Sequence, residues 1–238
     1  PLNHVHQYGI EVHDSEVIGD SVFVYINNAY ASNGRGIRAD RSVISDNYIN
    51  LQDHNDHEGI SYAIESYGSS NDRSTITNNT IVAIRETNGI WASYADIENN
   101  HIEKGPDNNN DEWAIGHGHY NVIRNNTIIG MRDGIYADDR TDNVIENNHI
   151  ETRYYGIYAN NANGDLVIRN NTLDKYTTEG DWLIYVTNTN NVEINGNDMR
   201  ADGGSGIYVS NTVLQISGNL VETPGRGLDI SNQVAGPV

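Results

Sequence analysis

The side chains able to do acid–base or metal chemistry fall into a few clusters along the 238 residues. One lies mid-chain: Lys104, then His117 and His119 in Trp113-Ala114-Ile115-Gly116-His117-Gly118-His119, then Arg132 and Asp138. An imidazole or amine of this kind can take a proton, and a guanidinium can neutralise the anion that results. Together they could abstract the proton alpha to a sugar carboxylate, with His119 or Lys104 as base and Arg132 as neutraliser. A Tyr or His would then return a proton. A second cluster, Gln52-Asp53-His54-Asn55-Asp56-His57-Glu58, puts Asp53, Asp56 and Glu58 in one segment, where they could hold a metal ion such as Ca2+ or act as acid and base. No other cofactor is required by these residues. Paired carboxylates are a third option, Asp40 with Glu65 or Asp138 with Asp139, since glycoside hydrolysis needs two of them about 5 to 9.5 Å apart. There is no cysteine, so thiol catalysis and disulfides are excluded.

What must position these residues is an internal repeat. Ile-x-Asn-Asn-x-Ile recurs at Ile76–Ile81, Ile97–Ile102, Ile123–Ile128 and Ile145–Ile150, with variants at Ile168–Leu173, Ile44–Ile49, Ile194–Met199 and Ile216–Val221, and a first one at Ile18–Val22. The second Asn stands at 47, 79, 100, 126, 148, 171, 197 and 219, so the spacings are 32, 21, 26, 22, 23, 26 and 22. A unit near 22 residues with insertions is a solenoid period. Its segments are short, alternating and rich in Ile and Val, which predicts strands, and no unit leaves room for a helix. Three short strands per turn give an all-β, right-handed parallel β-helix of about ten coils, forming one domain over 1–238 within a longer chain. The Asn pair supplies a left-handed bend and an axial amide ladder.

A phrase Gly-Ile or its variants marks the first strand of each coil, with Ile10, Ile37, Ile64, Ile90, Ile115, Ile135, Ile157, Ile184, Ile207 and Leu228 predicted as one inward stack. Alternation then turns the next residue outward. That column reads Glu11, Arg38, Glu65, Trp91, Gly116, Tyr136, Tyr158, Tyr185, Tyr208 and Asp229, an aromatic row broken only at Gly116. Coils about 4.8 Å apart match the length of a sugar ring, and aromatic rings with a polar tip suit sugars. Trp91, Tyr136, Tyr158, Tyr185 and Tyr208 are therefore expected to bind a glycan. Arg85, with Lys104, Arg132, Arg153 and Lys175, lines the turn at the edge of that surface.

The charge balance narrows the partners. With 33 Asp+Glu against 14 Lys+Arg the net charge is -19, which argues against nucleic acid and anionic membrane surfaces. No apolar run reaches the roughly 20 residues of a membrane span.

The repeat resembles the pectate-lyase-like superfamily of parallel β-helices over nearly the whole chain, from Gly9 to Ser231. The middle coils are also weakly similar to mannuronan C5-epimerases, through Ile123-Arg124-Asn125-Asn126 and Arg132-Asp133-Gly134. Gly116 and Gly118 stand where that family carries an Asp and a His. The resemblance implies a secreted or cell-surface protein acting as a lyase or C5-epimerase on a uronate-containing polysaccharide. A non-catalytic adhesin, tailspike segment or carbohydrate-binding scaffold is the alternative, and a glycoside hydrolase a further one. Superfamily members usually cap the first coil, so a homo-oligomer or upstream sequence is expected to cover it here.

Overall fold

The computed structural model describes residues 7–26, 34–53, 61–84, 87–105, 113–138, 142–162, 164–178 and 182–232. These form 28 short strands and no helix. The strands wind into three parallel sheets, each visited once per coil. The first sheet has ten strands: Gln7–His13, Gly34–Asp40, Ser61–Tyr67, Thr87–Ser93, Trp113–His117, Asp133–Asp138, Ile157–Asn160, Trp182–Thr187, Ser205–Ser210 and Leu228–Ser231. The second and third sheets have nine each. Among the described residues there are thus nine complete coils and the first strand of a tenth, against the ten expected.

Three aliphatic stacks fill the interior. The first-sheet stack from Ile10 to Leu228 pairs in the predicted register, with Ile37 to Ile207 buried, Ile10 half-buried and Leu228, on the last strand, exposed. Ile44, Ile76, Ile97, Ile123, Ile145, Ile168 and Ile194 line the second sheet, and Ile49, Ile81, Ile102, Ile128, Ile150, Leu173 and Met199 the third; all are fully buried. Each such side chain contributes roughly 1.5–3 kcal/mol of transfer free energy. The opening repeat is out by one residue from the Ile18–Val22 expectation. Val17 pairs with Ile44 and is buried, whereas Ile18 is exposed.

The Asn pair divides its work between two bends' worth of geometry. The first Asn takes the left-handed conformation at Asn78, Asn99, Asn125, Asn147 and Asn170, with φ of 55–56°, and Gly19, Asp46, Gly196 and Gly218 do so elsewhere in the column. Asn tolerates that region better than most residues. The second Asn is buried and forms the ladder: Asn47, Asn79, Asn100, Asn126, Asn148, Asn171 and Asn197 each donate from Nδ2 to Oδ1 of the next, at 2.9–3.0 Å, ending on Asn219. Each Oδ1 also accepts the preceding asparagine's backbone N–H, as in Asn126 N to Asn148 Oδ1 at 3.0 Å. The bend therefore leaves no buried amide wanting a partner along this line.

The outer face of the second sheet carries a charge ladder. Glu98, Arg124, Glu146 and Arg169 stand in register, with Arg124 to Glu98 at 2.5 Å and Arg169 to Glu146 at 2.6 Å. Opposite charges directly across a strand pair support the sheet.

Candidate functional site

The site lies on the outer face of the first sheet, and a phase shift in that sheet creates it. Two consecutive residues of each strand point inward, such as Ala63-Ile64, Ala114-Ile115 and Leu183-Ile184, all fully buried. Strict alternation would send the residue before this pair indoors. The doubled inward step sends it out, so two outward columns run side by side. One is the expected Glu65, Trp91, Gly116, Tyr136, Tyr158, Tyr185, Tyr208 series, in register as predicted. The other contains Tyr62, Trp113, Tyr155 and Trp182, three residues before Glu65, Gly116, Tyr158 and Tyr185 respectively.

Together they make an aromatic strip without a gap. Tyr136, Tyr158, Tyr185 and Tyr208 stack with ring centroids 4.9, 5.3 and 5.0 Å apart and planes within 12° of parallel. These centroid steps match the roughly 4.8 Å spacing of adjacent strands, so the rings form one stacked column along the coils. The phenols overlap like roof tiles, each partly covering the next. At Gly116 the indole of Trp113 takes over. Its centroid is 6.4 Å from Tyr136 at 14°, and 5.5 Å from both Trp91 and Tyr62 at 44° and 38°. Tyr155 leans on Tyr158 and Tyr185, and Trp182 on Tyr208.

The flanks are polar and their charges are paired. Beside the phenols stand Asn160, Thr187, Ser210 and Ser231, with Thr187 Oγ1 donating to Asn160 Oδ1 at 2.7 Å. Hydrogen bonds to Ser231 and Ser210 lower the Tyr208 pKa. At the other end Arg35 Nε sits 2.8 Å from Glu65 Oε2, and its guanidinium lies 4.4 Å over the Tyr62 ring. Tyr67 donates to the other Glu65 oxygen at 3.1 Å. Burial pushes the Tyr62 phenol up to about 12, with the Glu65 charge adding to the rise. Tyr67 is raised as well, again chiefly by burial.

Of the acid–base candidates, Arg132 and His119 stand at opposite edges of the first sheet, and Lys104 stands on the Arg132 edge. Arg132 lies at the turn from the third sheet into the first, 3.4 Å from Asp133 and 4.6 Å over the Tyr154 ring. Lys104 ends a third-sheet strand on the same edge. His119, half-buried, lies at the opposite edge, where the chain turns into the second sheet. Asp133 pairs with Trp113, and His119 follows Trp113 by six residues. The strand Trp113–His117 lies between Arg132 and His119, about 13 Å long at roughly 3.3 Å per residue. His117 closes its strand in register with Ala92, Asp138 closes its own in register with Asn160, and Asp53 closes Tyr48–Asp53. Asp56, Glu58 and Arg85 lie outside the described residues. Among the described residues no three His, Asp or Glu side chains gather as metal ligands. Asp40 meets His13 at 3.1 Å, and across the adjacent strands Asp40 stands opposite Tyr67 and Glu65 opposite Arg38.

The model of the right-handed beta helix region matches residues 45–185, more than half of the chain. The chain belongs to that family. No curated protein matches it. Among solved structures, this β-helix resembles a variant tailspike protein of E. coli bacteriophage HK620 in complex with a pentasaccharide, with a TM-score of 0.49 and 12% identity. The match covers 87% of this chain and 48% of the tailspike chain, so the β-helix spans about half the length of the protein it resembles.

Sequence reasoning missed the second aromatic column of the β-helix because it assumed unbroken alternation. A signal was present: an aromatic three residues before the outward position recurs at Tyr62, Trp113, Tyr155 and Trp182. Each is followed by a small or aliphatic residue and then Ile, the doubled inward step.

Proposed function

We propose that this β-helix binds a polysaccharide along the outer face of its first sheet, acting outside the cell or at its surface. The observation that carries this reading is the continuous aromatic strip from Tyr62 to Tyr208, crossing seven adjacent strands of that sheet. Its step of about 4.8 Å per coil is commensurate with a chain of sugar rings. Ring edges and phenol hydroxyls suit the mixed apolar and polar surface of a glycan. The uncharged, half-buried neighbours Asn160 and Ser231 fit the same ligand, while Thr187 and Ser210 are buried beside the phenols.

Holding a glycan needs no convergence of acid and base. Lyase or epimerase chemistry with His119 as base would need Arg132 and His119 on one sugar, and the width of the sheet lies between them; with Lys104 as base it would act at the edge where the third sheet turns into the first, beside the aromatic strip and not along it. Binding is therefore the reading that the geometry favours. It is tested by calorimetric titration with a panel of neutral and uronate oligosaccharides, using wild type and a Tyr158→Ala/Tyr185→Ala variant. Measurable affinity that the double variant loses supports the proposal. Unsaturated product in an ultraviolet absorbance assay of the same mixtures would instead favour the lyase.

A further inference from the structure

Gly116 is the one position of the outward column without a side chain, and the reason lies in Trp113. A Cβ at Gly116 would come within 2.6 Å of Cε3, Cζ3 and Cη2 of the Trp113 indole. Meeting three successive ring atoms at once places that Cβ over the face of the six-membered ring, not beyond its rim. The indole therefore covers the bare backbone of Gly116, with its plane within 14° of the Tyr136 ring, and it is half-buried, so part of it meets solvent.

The surroundings of this indole form a shallow cup. Trp91 and Tyr62 meet Trp113 at 44° and 38° and each other at 36°, with centroids 5.5 to 5.8 Å apart. Tilted rings of this kind make walls, where parallel rings make a stack. Among the described residues, charged groups at the rim are paired: Arg35 with Glu65 on the Tyr62 side, Arg132 with Asp133 on the strand that pairs with Trp113. The cup therefore offers hydrogen-bonding groups without a surplus of positive charge, and the molecule around it carries -19.

We propose that the exposed part of the Trp113 indole is the stacking platform of a discrete subsite for an uncharged pyranose. The sugar would be one whose hydroxyls are equatorial, as in gluco- or xylo-configured rings, leaving a flat C–H face for the indole. This inference rests on the glycan-binding reading above and adds to it where the chain is anchored and what kind of sugar anchors it. Indole gives the largest aromatic surface for such contact, and a chain charged at -19 repels a polyuronate. The remaining sugars run over the tyrosine tiles, which contribute ring edges and hydroxyls.

The test is calorimetric titration with cellohexaose, xylohexaose and hexagalacturonate, paired with intrinsic fluorescence, since two of the three tryptophans line the cup. A neutral hexasaccharide should bind and change the tryptophan emission. Trp113→Ala should weaken it roughly tenfold, the upper end of an aromatic contact. Gly116→Ala keeps the indole but unseats it, and should weaken binding by a similar factor without loss of the far-ultraviolet circular dichroism. Binding that survives both changes but is lost in Tyr158→Ala/Tyr185→Ala overturns the platform and leaves the glycan-binding reading standing. Tighter binding of hexagalacturonate overturns the neutral-sugar assignment. Failure of wild type to bind any of the three overturns the platform, and failure across a wider glycan panel overturns the function reading too.

Discussion

Replacing Asn126 by Ala removes the middle link of the amide ladder, and the cost follows from its partners. Asn126 Oδ1 accepts from the backbone N–H and the Nδ2 of Asn100, both at 3.0 Å, while its Nδ2 donates to Ile97 O at 2.9 Å and Asn148 Oδ1 at 3.0 Å. The residue is 1% exposed, so water cannot take its place. Two buried amide donors lose their acceptor, at about 1–3 kcal/mol each, and we expect a total loss of about 3–5 kcal/mol. Asn219 accepts the same two bonds from Asn197 but is half-buried at the end of the line, so Asn219→Ala should cost only about 1–2 kcal/mol. Urea unfolding followed by circular dichroism measures both. Asn126→Asp sharpens the test, because a carboxylate cannot donate to Ile97 O or Asn148 Oδ1. Its folded pKa is raised above the unfolded value of about 3.9. The stability it retains is present below that value and lost as pH rises through the folded one. Its deficit relative to wild type should therefore shrink from pH 7 to pH 4, while that of Asn126→Ala stays constant. Equal costs at positions 126 and 219, or a loss below about 1 kcal/mol at 126, would refute the ladder as a source of stability.

Three other outcomes are expected. Gly36→Ala would set a Cβ 2.5 Å from Ala63 O and 2.9 Å from Ile49 Cγ2, and thermal unfolding should show a loss of about 1–3 kcal/mol from overpacking. Arg35→Leu leaves Glu65 buried without its cation and should cost about 3 kcal/mol, whereas Arg35→Leu/Glu65→Leu should recover most of it in a double-mutant cycle. Tyr62, raised to about 12 from 10.0, contributes stability that is complete below pH 10 and lost between pH 10 and 12. The fall in unfolding free energy over that interval should be shallower in Tyr62→Phe, measured by denaturant titration at each pH.

The fold was legible because its signals repeat. One Ile-x-Asn-Asn-x-Ile unit is weak, but eight at a common spacing set the period, the strand count per coil and the inward stack from Ile10 to Leu228. The outward column was legible for the same reason, up to the point where the alternation breaks. Ala114-Ile115 reads as one inward and one outward residue in an ideal strand, and nothing local says that both go in. That single phase shift hid Trp113 and made Gly116 look like a hole. At Val17 and Ile18 two adjacent aliphatics fit the motif equally well, and only pairing with Ile44 separates them. Arg132 and His119 stand apart for a different reason. Nearness in sequence, as for His119 and Arg132, says little in a solenoid, where a few residues carry the chain across a whole face.

Because each Asn hands its amide proton to the coil above and receives one from the coil below, every rung is interchangeable with its neighbours as far as bonding is concerned. A duplicated or deleted block of 22 or 23 residues closes the same chain of bonds, whereas a shift by one residue breaks it. Such a molecule can lengthen or shorten its tyrosine-lined track by single rungs while the chemistry of each rung stays the same. On the glycan-binding reading, the number of sugars spanned becomes a quantity that gene duplication can adjust in whole steps.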